Sequence, residues 1–382
     1  MKQIIILFLI SFFCFFSGQT FAEIKFNDIV QIGILLDVEK LNVASDKQYV
    51  IFNNGKKVVL SAGNVDIKLV GNRIVIGKNK KDLTLPVRIK AQSYLVVNKT
   101  VYRGDILLKL SQKGKINVIN ELNIDDYLKG VLPKEAGPSW PIEALKAQAV
   151  ISRSFTIKNL KKHSNKHFNL CSTVCCQVYG GASAESKLCN QAVMETKGIV
   201  LTYKNEIAQT FFHSSCGGHT EDPKYVWGWK TETPQYLKGI KDIYCKNNPQ
   251  QNWKCTIDEK TIRTKLTNAG YKIGEISKIS YSGSTTGKAR KEIVIKHKNG
   301  TLKLNSYKFR ITVDPWLIKS TMISDITKQK DKFIFKGNGW GHKVGLCQWG
   351  AKNLAEQGYK YDKILTFYYP GTKTDNIKNG KK

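Results

Sequence analysis

VLPKEAGPSWPIEALKAQAVISRSFT, residues 131–156, carries the reading of this chain. A single carboxylate, Glu135, stands in a Pro- and Gly-rich turn ahead of an Ala-rich segment of strong helix-forming composition. The pattern predicts a long helix over residues 142–160. Ser139 or Trp140 would cap it, and Pro141 suits its first turn, where a missing N–H costs nothing. Lys146 and Arg153 are seven residues apart and share one helix face. An acid on a rigid turn beside two cations suits acid–base work on a bound substrate. The bland alternative is a solvated acid near the positive end of a helix.

Outward from this stretch, residues 116–374 mix helices and strands. Further helices are expected at Ser186–Thr196 and Gln348–Gln357, and a hairpin at Lys197–Tyr203 and Ile207–Phe212. Strands are expected at Lys278–Tyr281, Glu292–His297 and Thr301–Leu304, the last two turning at Asn299-Gly300. Residues 23–115 read as a β-rich N-terminal domain, with β-branched runs at Gln48–Asn53, Lys56–Leu60, Val65–Val70, Arg73–Ile76 and Thr84–Ile89. Asn54-Gly55 and Gly71-Asn72 supply turn chemistry between them. Residues 375–382 form a polar, Lys-rich tail, expected to be mobile. The class is α+β, a mixed helix/strand core with a β-rich extension, and not a doubly wound sheet.

The first 22 residues read as a secretory signal: Lys2, the apolar run Ile4–Phe16, then Thr20-Phe21-Ala22 as a small-residue cleavage site. An uncleaved membrane anchor is the alternative, although the run falls short of the ~20 apolar residues that span a bilayer comfortably. The protein is therefore expected to be secreted or held in the cell envelope. Net charge is +31, and the leader contains only one charged residue, Lys2. That excess favours polyanionic partners, among them nucleic acid, anionic lipid and anionic wall polymer. Export excludes nucleic acid, and no nucleic-acid-binding module is present.

Five stretches in order resemble the SpoIID/LytB family of peptidoglycan-cleaving, stage II sporulation protein D-like proteins. They are PKEAGPSWPIEALKAQAVISRS (133–154), CQVYGG (176–181), FFHSSCGGHTED (211–222), GNGWGHKVGLCQWGA (337–351) and ILTFYYPGT (364–372). The likeness runs from about Ile116 to Thr372, and Tyr307–Ile311 resembles the family's FR segment. It implies a lytic transglycosylase that cleaves glycan strands between muramic acid and glucosamine, preferring peptide-stripped strands, with Glu135 as acid/base. A wall amidase is the implied partner. The rival is a non-catalytic wall-binding module that stimulates an N-acetylmuramoyl-L-alanine amidase.

A glycosidase normally uses two carboxylates. One suffices if the muramic C6 hydroxyl serves as nucleophile and closes a 1,6-anhydro ring, so no cofactor is required for the chemistry. Burial beside Trp140 would keep such an acid protonated. Glu143 reads as a solvated first-turn acid, and Glu221 as either a second acid or a loop-surface group. Adjacent strand residues point to opposite faces, so His213 and Ser214 cannot readily form a nucleophilic pair. They are expected instead in a glycan groove with Lys146, Arg153, Trp340 and His342. Trp349 is read equally as sugar platform or core. The Gly-rich run 337–351 lacks the G-K-[ST] ending of a phosphate loop.

His163, His167, Cys171, Cys175 and Cys176 have metal-ligand composition without familiar zinc-finger spacing. Some family members hold a structural zinc here with two Cys and two His, which leaves room for a site of one His and three Cys. Disulfide pairing in an oxidising compartment is the alternative. Cys245 and Cys255 look like a local disulfide, with Cys216 or Cys189 as competitors.

Overall fold

The computed structural model describes residues 28–77 and 81–377. The expected leader and the last five residues of the expected tail lie outside them. The described helices are α1 (Ile124–Glu135), α2 (Ile142–Lys158), α3 (Lys187–Glu195), α4 (Pro223–Trp227), α5 (Glu259–Asn268), α6 (Ser306–Val313), α7 (Gln348–Glu356) and α8 (Tyr361–Tyr368). Several sheets accompany them, so the architecture is α+β.

Helix α2 is the hub. Its residues from Leu145 to Phe155 are buried except for Lys146, and the buried set includes the polar Gln148, Ser152, Arg153 and Ser154, each held by hydrogen bonds. It packs against α1, α3, α7, α8 and the strand Ile199–Tyr203. No side chain caps it; Pro141 holds the N-cap position. Helix α1 is capped by Asn123, whose side chain accepts from the Asp125 N–H, and Asp125 and Asp126 sit in its first turn near the positive dipole end. The Cys176–Gly181 segment crosses α1 at Gly130. A Cβ there would lie 2.5 Å from the Tyr179 ring and 2.7 Å from the Gly181 carbonyl, so only glycine lets the two segments meet.

The β-rich N-terminal stretch forms two sheets. One runs, in spatial order, Leu170–Cys171, Ile29–Val38, Ile116–Asn123, Asp105–Leu110, Val87–Ala91, Tyr49–Asn53 and Lys56–Leu60. The other contains Thr100–Tyr102, Leu95–Val97, Lys40–Ser45, Gly63–Val70, Arg73–Ile76 and Lys81–Thr84. Asn54-Gly55 turns its hairpin with positive φ at both residues, and the strands either side of Gly71-Asn72 pair as expected. The expected strand Thr84–Ile89 is broken instead at Leu85-Pro86, and its halves join different sheets.

A division at 115/116 falls between hydrogen-bonded neighbours, because Asp105–Leu110 pairs antiparallel with Ile116–Asn123. One core contains Val30, Ile51 and Ile89 from the strands together with Leu128, Val131 and Leu145 from α1 and α2. The N-terminal sheets thus buttress the motif helices directly. Residues 253–337 build a second body of two three-stranded sheets with α5 and α6, around Ile262, Phe309, Phe333 and Phe335. Here the FR segment is helix α6, and the meander turns one residue earlier than expected, at Lys298-Asn299, with Gly300 already paired to His297. Of the expected hairpin partner Ile207–Phe212 only Ile207, together with Glu206 before it, joins the ladder with Ile199–Tyr203; Phe212–His213 pairs instead with Leu346–Cys347. The tail begins later than residue 375, because Lys373–Asn376 is a strand pairing with Ile199–Tyr203.

Candidate active site

Glu135 is the last residue of α1, not part of a free loop. Its side chain is half-buried, and Oε1 accepts a 2.6 Å hydrogen bond from the Val178 N–H. Burial lifts its pKa from the ordinary 4.5 to about 7, opposed by that N–H. The negative end of α1 acts in the same direction as burial. With Oε1 taken by an N–H, the proton falls to Oε2. The result is a carboxylic acid that stays partly protonated at neutral pH, which is what a general acid requires.

The CQVYGG segment builds this setting from both sides. Gln177, fully buried, donates to Thr156 Oγ1 at 3.0 Å and so fastens the segment to α2. Tyr179 packs against Tyr127 with the rings tilted and their centres 5.0 Å apart, and it donates to Asn120 Oδ1 at 2.8 Å. Two residues before Val178, Cys176 enters a cluster with His163, Cys171 and Cys175, whose ligand atoms all lie within 4.8 Å of one another. His163 Nε2 is 3.3 Å from Cys176 Sγ and 3.8 Å from Cys175 Sγ. A tetrahedral zinc with Zn–S near 2.3 Å needs ligand atoms roughly 3.8 Å apart, so one imidazole and three sulfurs fit it. His167 does not join them: it is exposed, in a left-handed turn, and its carbonyl accepts from Lys109.

The second wall comes from Phe211–Ser214 and the turn before α7. His213 is 4% exposed, donates from Nδ1 to the Val344 carbonyl at 3.2 Å, and faces His342 at 5.6 Å between ring centres. Burial pushes the His213 pKa down to about 4 and that of His342 well below its usual range, so both rings are neutral. Gly341, at φ +115°, brings this turn so close that a Cβ would sit 2.7 Å from the His213 Cβ. His213 is therefore a wall support, packed too deep to meet a polymer. Ser214, half-buried on the opposite strand face, accepts at its carbonyl from the Trp349 N–H. Trp349 meets Trp140 edge-on at 5.5 Å, which joins this wall to the Glu135 turn.

Several expected groove residues lie elsewhere. Arg153 is 2% exposed and holds Asp125 Oδ1 at 2.8 Å together with the carbonyls of Ile199 and Val193. Lys146 pairs with Glu143 at 3.1 Å and Glu195 at 2.6 Å. The shared face expected of these two cations is real, but it packs on α3 rather than facing substrate. Glu143 also accepts from the Tyr361 N–H, tying α2 to α8, and so is no free acid. Glu221 is buried against Lys343 at 3.5 Å and accepts from the Thr285 hydroxyl at 2.8 Å. Cys245 lies beside Cys216 and Cys347, while Cys255 sits on a separate strand opposite Phe335, so the expected 245–255 disulfide does not form. Trp340 is half-buried, with Trp316 at 5.8 Å and the Lys319 ammonium 5.4 Å from its ring centre. Trp316 is 64% exposed, an aromatic platform that sequence reading missed because it belongs to no motif.

The site is thus a half-buried acid at a helix end, flanked by a thiol–imidazole cluster and by an aromatic wall. Residues 112–203 match the family described as SpoIID, Stage II sporulation protein. An uncharacterized protein of Brachyspira hyodysenteriae is 33% identical over 358 residues, covering 93% of each chain. The amidase enhancer of Bacillus subtilis is 32% identical over 64% of this chain but only 40% of the enhancer. The stage II sporulation protein D of the same organism is 28% identical over 66% of this chain and 75% of its own length. The chain belongs to the SpoIID family.

Proposed function

We propose that this protein acts outside the cytoplasm on the cell wall, as a lytic transglycosylase of peptide-stripped peptidoglycan strands. The observation that carries the reading is Glu135, an acid held near neutrality by burial yet still reachable from solvent. In the first half-reaction Oε2 gives its proton to the glycosidic oxygen between muramic acid and glucosamine. The C1–O bond breaks, and the glucosamine-initiated strand leaves with a free 4-hydroxyl. In the second half the muramic C6 oxygen bonds to C1 and its proton returns to Glu135. A 1,6-anhydro end forms without water, and no second carboxylate is required. The Trp316–Trp340 platform offers ring faces for sugar stacking.

Wild-type protein on denuded glycan strands should yield anhydro ends by mass spectrometry. Reducing ends in their place would mean hydrolysis and would end the transglycosylase reading. Because the acid must start protonated, kcat/KM should fall about tenfold per pH unit above a limb near 7. A profile flat to pH 9 would show that Glu135 is not the proton donor.

The amidase enhancer relative supports a second reading, a wall-binding module that stimulates an amidase. Amidase stimulation that survives Glu135→Gln, with no sugar released by either protein, would favour it.

Zinc held by His163, Cys171, Cys175 and Cys176 belongs to the proposal as a structural ion. It would fix the segment that delivers the Val178 N–H to Glu135, and it takes no part in the chemistry. Stripping it with a chelator should cost about 3 kcal/mol at free zinc roughly 100-fold above the dissociation constant. Thermal melts with and without chelator check this, and superimposable curves would rule the ion out.

A further inference from the structure

A second group of metal-ligating side chains lies in the other half of the protein. Cys216 follows the Phe211–Ser215 wall, Asp242 and Cys245 belong to the loop after the turn Gln235–Leu237, and Cys347 is the N-cap of α7. Their ligand atoms lie within 4.8 Å of one another, and exposure is 5% or less at each. They sit in an apolar surround that includes Val344, Leu346, Ala351 and Tyr368.

Every sulfur is met by N–H donors. Cys347 Sγ accepts from the N–H groups of Cys216 at 3.3 Å and Gly350 at 3.4 Å. Cys216 Sγ accepts from the Gly218 N–H at 3.3 Å, and Cys245 Sγ from the Asn248 side-chain amide at 3.6 Å. Asp242 is oriented by the N–H groups of Tyr244 and Cys245 on Oδ1, and by the Tyr368 hydroxyl on Oδ2 at 2.9 Å. Its Oδ2 also accepts from the Cys216 thiol at 3.1 Å. Donors of this kind orient ligands and raise their worth to a metal, the outer shell that thiolate sites need. A disulfide would use two of these four groups and leave a thiol and a carboxylate converging on it. A dication uses all four and balances the charge that burial otherwise penalises.

We propose that Cys216, Asp242, Cys245 and Cys347 form a second structural site, of three sulfurs and one oxygen, for zinc or a cation of similar softness. Its position gives it a task. It would clasp the segment carrying His213 and Ser214 to the N-terminus of α7, which carries Trp349, and so brace the aromatic wall. The proposal does not depend on Glu135 being catalytic.

The test is zinc content per chain in the full protein, by mass spectrometry of the metal. His163→Ala with Cys175→Ser disables the first cluster and should leave one zinc per chain. Adding Cys245→Ser, or the more conservative Asp242→Asn, should remove it. No zinc in the first variant, or zinc unmoved by the second change, overturns the site. Should the Cys245→Ser chain not fold, a non-reducing peptide map of the His163→Ala, Cys175→Ser variant decides. Three unpaired cysteines at 216, 245 and 347 together with retained zinc uphold the site, and a disulfide joining any two of them overturns it.

Discussion

Glu135→Gln should reduce release of anhydro sugars from denuded strands by about a thousandfold, within the 10²–10⁴ range that a positioned general acid contributes. The substitution keeps the size of the side chain, and its Oε1 can still accept from the Val178 N–H, so binding to the strands should persist. The same variant carries a second signature. An ordinary Glu titrates near 4.5, and here folding raises that to about 7. The folded state thus holds its proton more tightly than the unfolded chain. The stability linked to it is complete below pH 4.5 and is lost as pH rises to about 7. That shift corresponds to roughly 3 kcal/mol. Glu135→Gln should therefore be the more stable protein at pH 8, by up to about 3 kcal/mol, and lose this advantage at pH 4.5. Denaturant melts at the two pH values read it out. A variant inactive and equally destabilised at both would point to misfolding rather than a missing proton.

Arg153→Ala should destabilise the fold by about 3–5 kcal/mol, the usual result of breaking a buried ion pair from one side. The guanidinium is 2% exposed, and removing it strands the Asp125 carboxylate and the carbonyls of Ile199 and Val193. It joins α1, which ends in Glu135, to α2 and α3, so activity should fall in step with the folded fraction. Urea titration beside a strand-binding assay separates the roles. A full loss of strand binding with an unchanged melting midpoint would restore Arg153 to the groove.

The contrast between these residues shows where sequence reading works. The seven-residue spacing places Lys146 and Arg153 on one face of one helix, and the structure agrees, because helical spacing is set by backbone geometry alone. Which neighbour that face meets was not legible: Glu195, Asp125 and the Ile199 carbonyl lie up to 49 residues away in the chain. The cysteines divide in the same way. His163 and Cys171 to Cys176 fall within fourteen residues and could be read as a cluster. Cys216 and Cys347 lie 131 residues apart with Cys245 between them, and Cys255 is a nearer decoy for Cys245.

From the residues alone follow the α+β class, the long helix after Glu135, the hairpins at Asn54-Gly55 and Gly71-Asn72, and the family likeness. All of these rest on local spacing, turn chemistry or contiguous words of sequence. That Glu135 ends a helix and accepts a hydrogen bond from Val178, 43 residues on, emerges from the folded chain alone. Only it showed that the N-terminal sheets share a core with α1 and α2, and that three distant thiols meet one carboxylate. A carboxyl's proton affinity and a thiol's partners depend on what burial removes from water around them. That is fixed by segments far apart in the chain, and no local pattern encodes it.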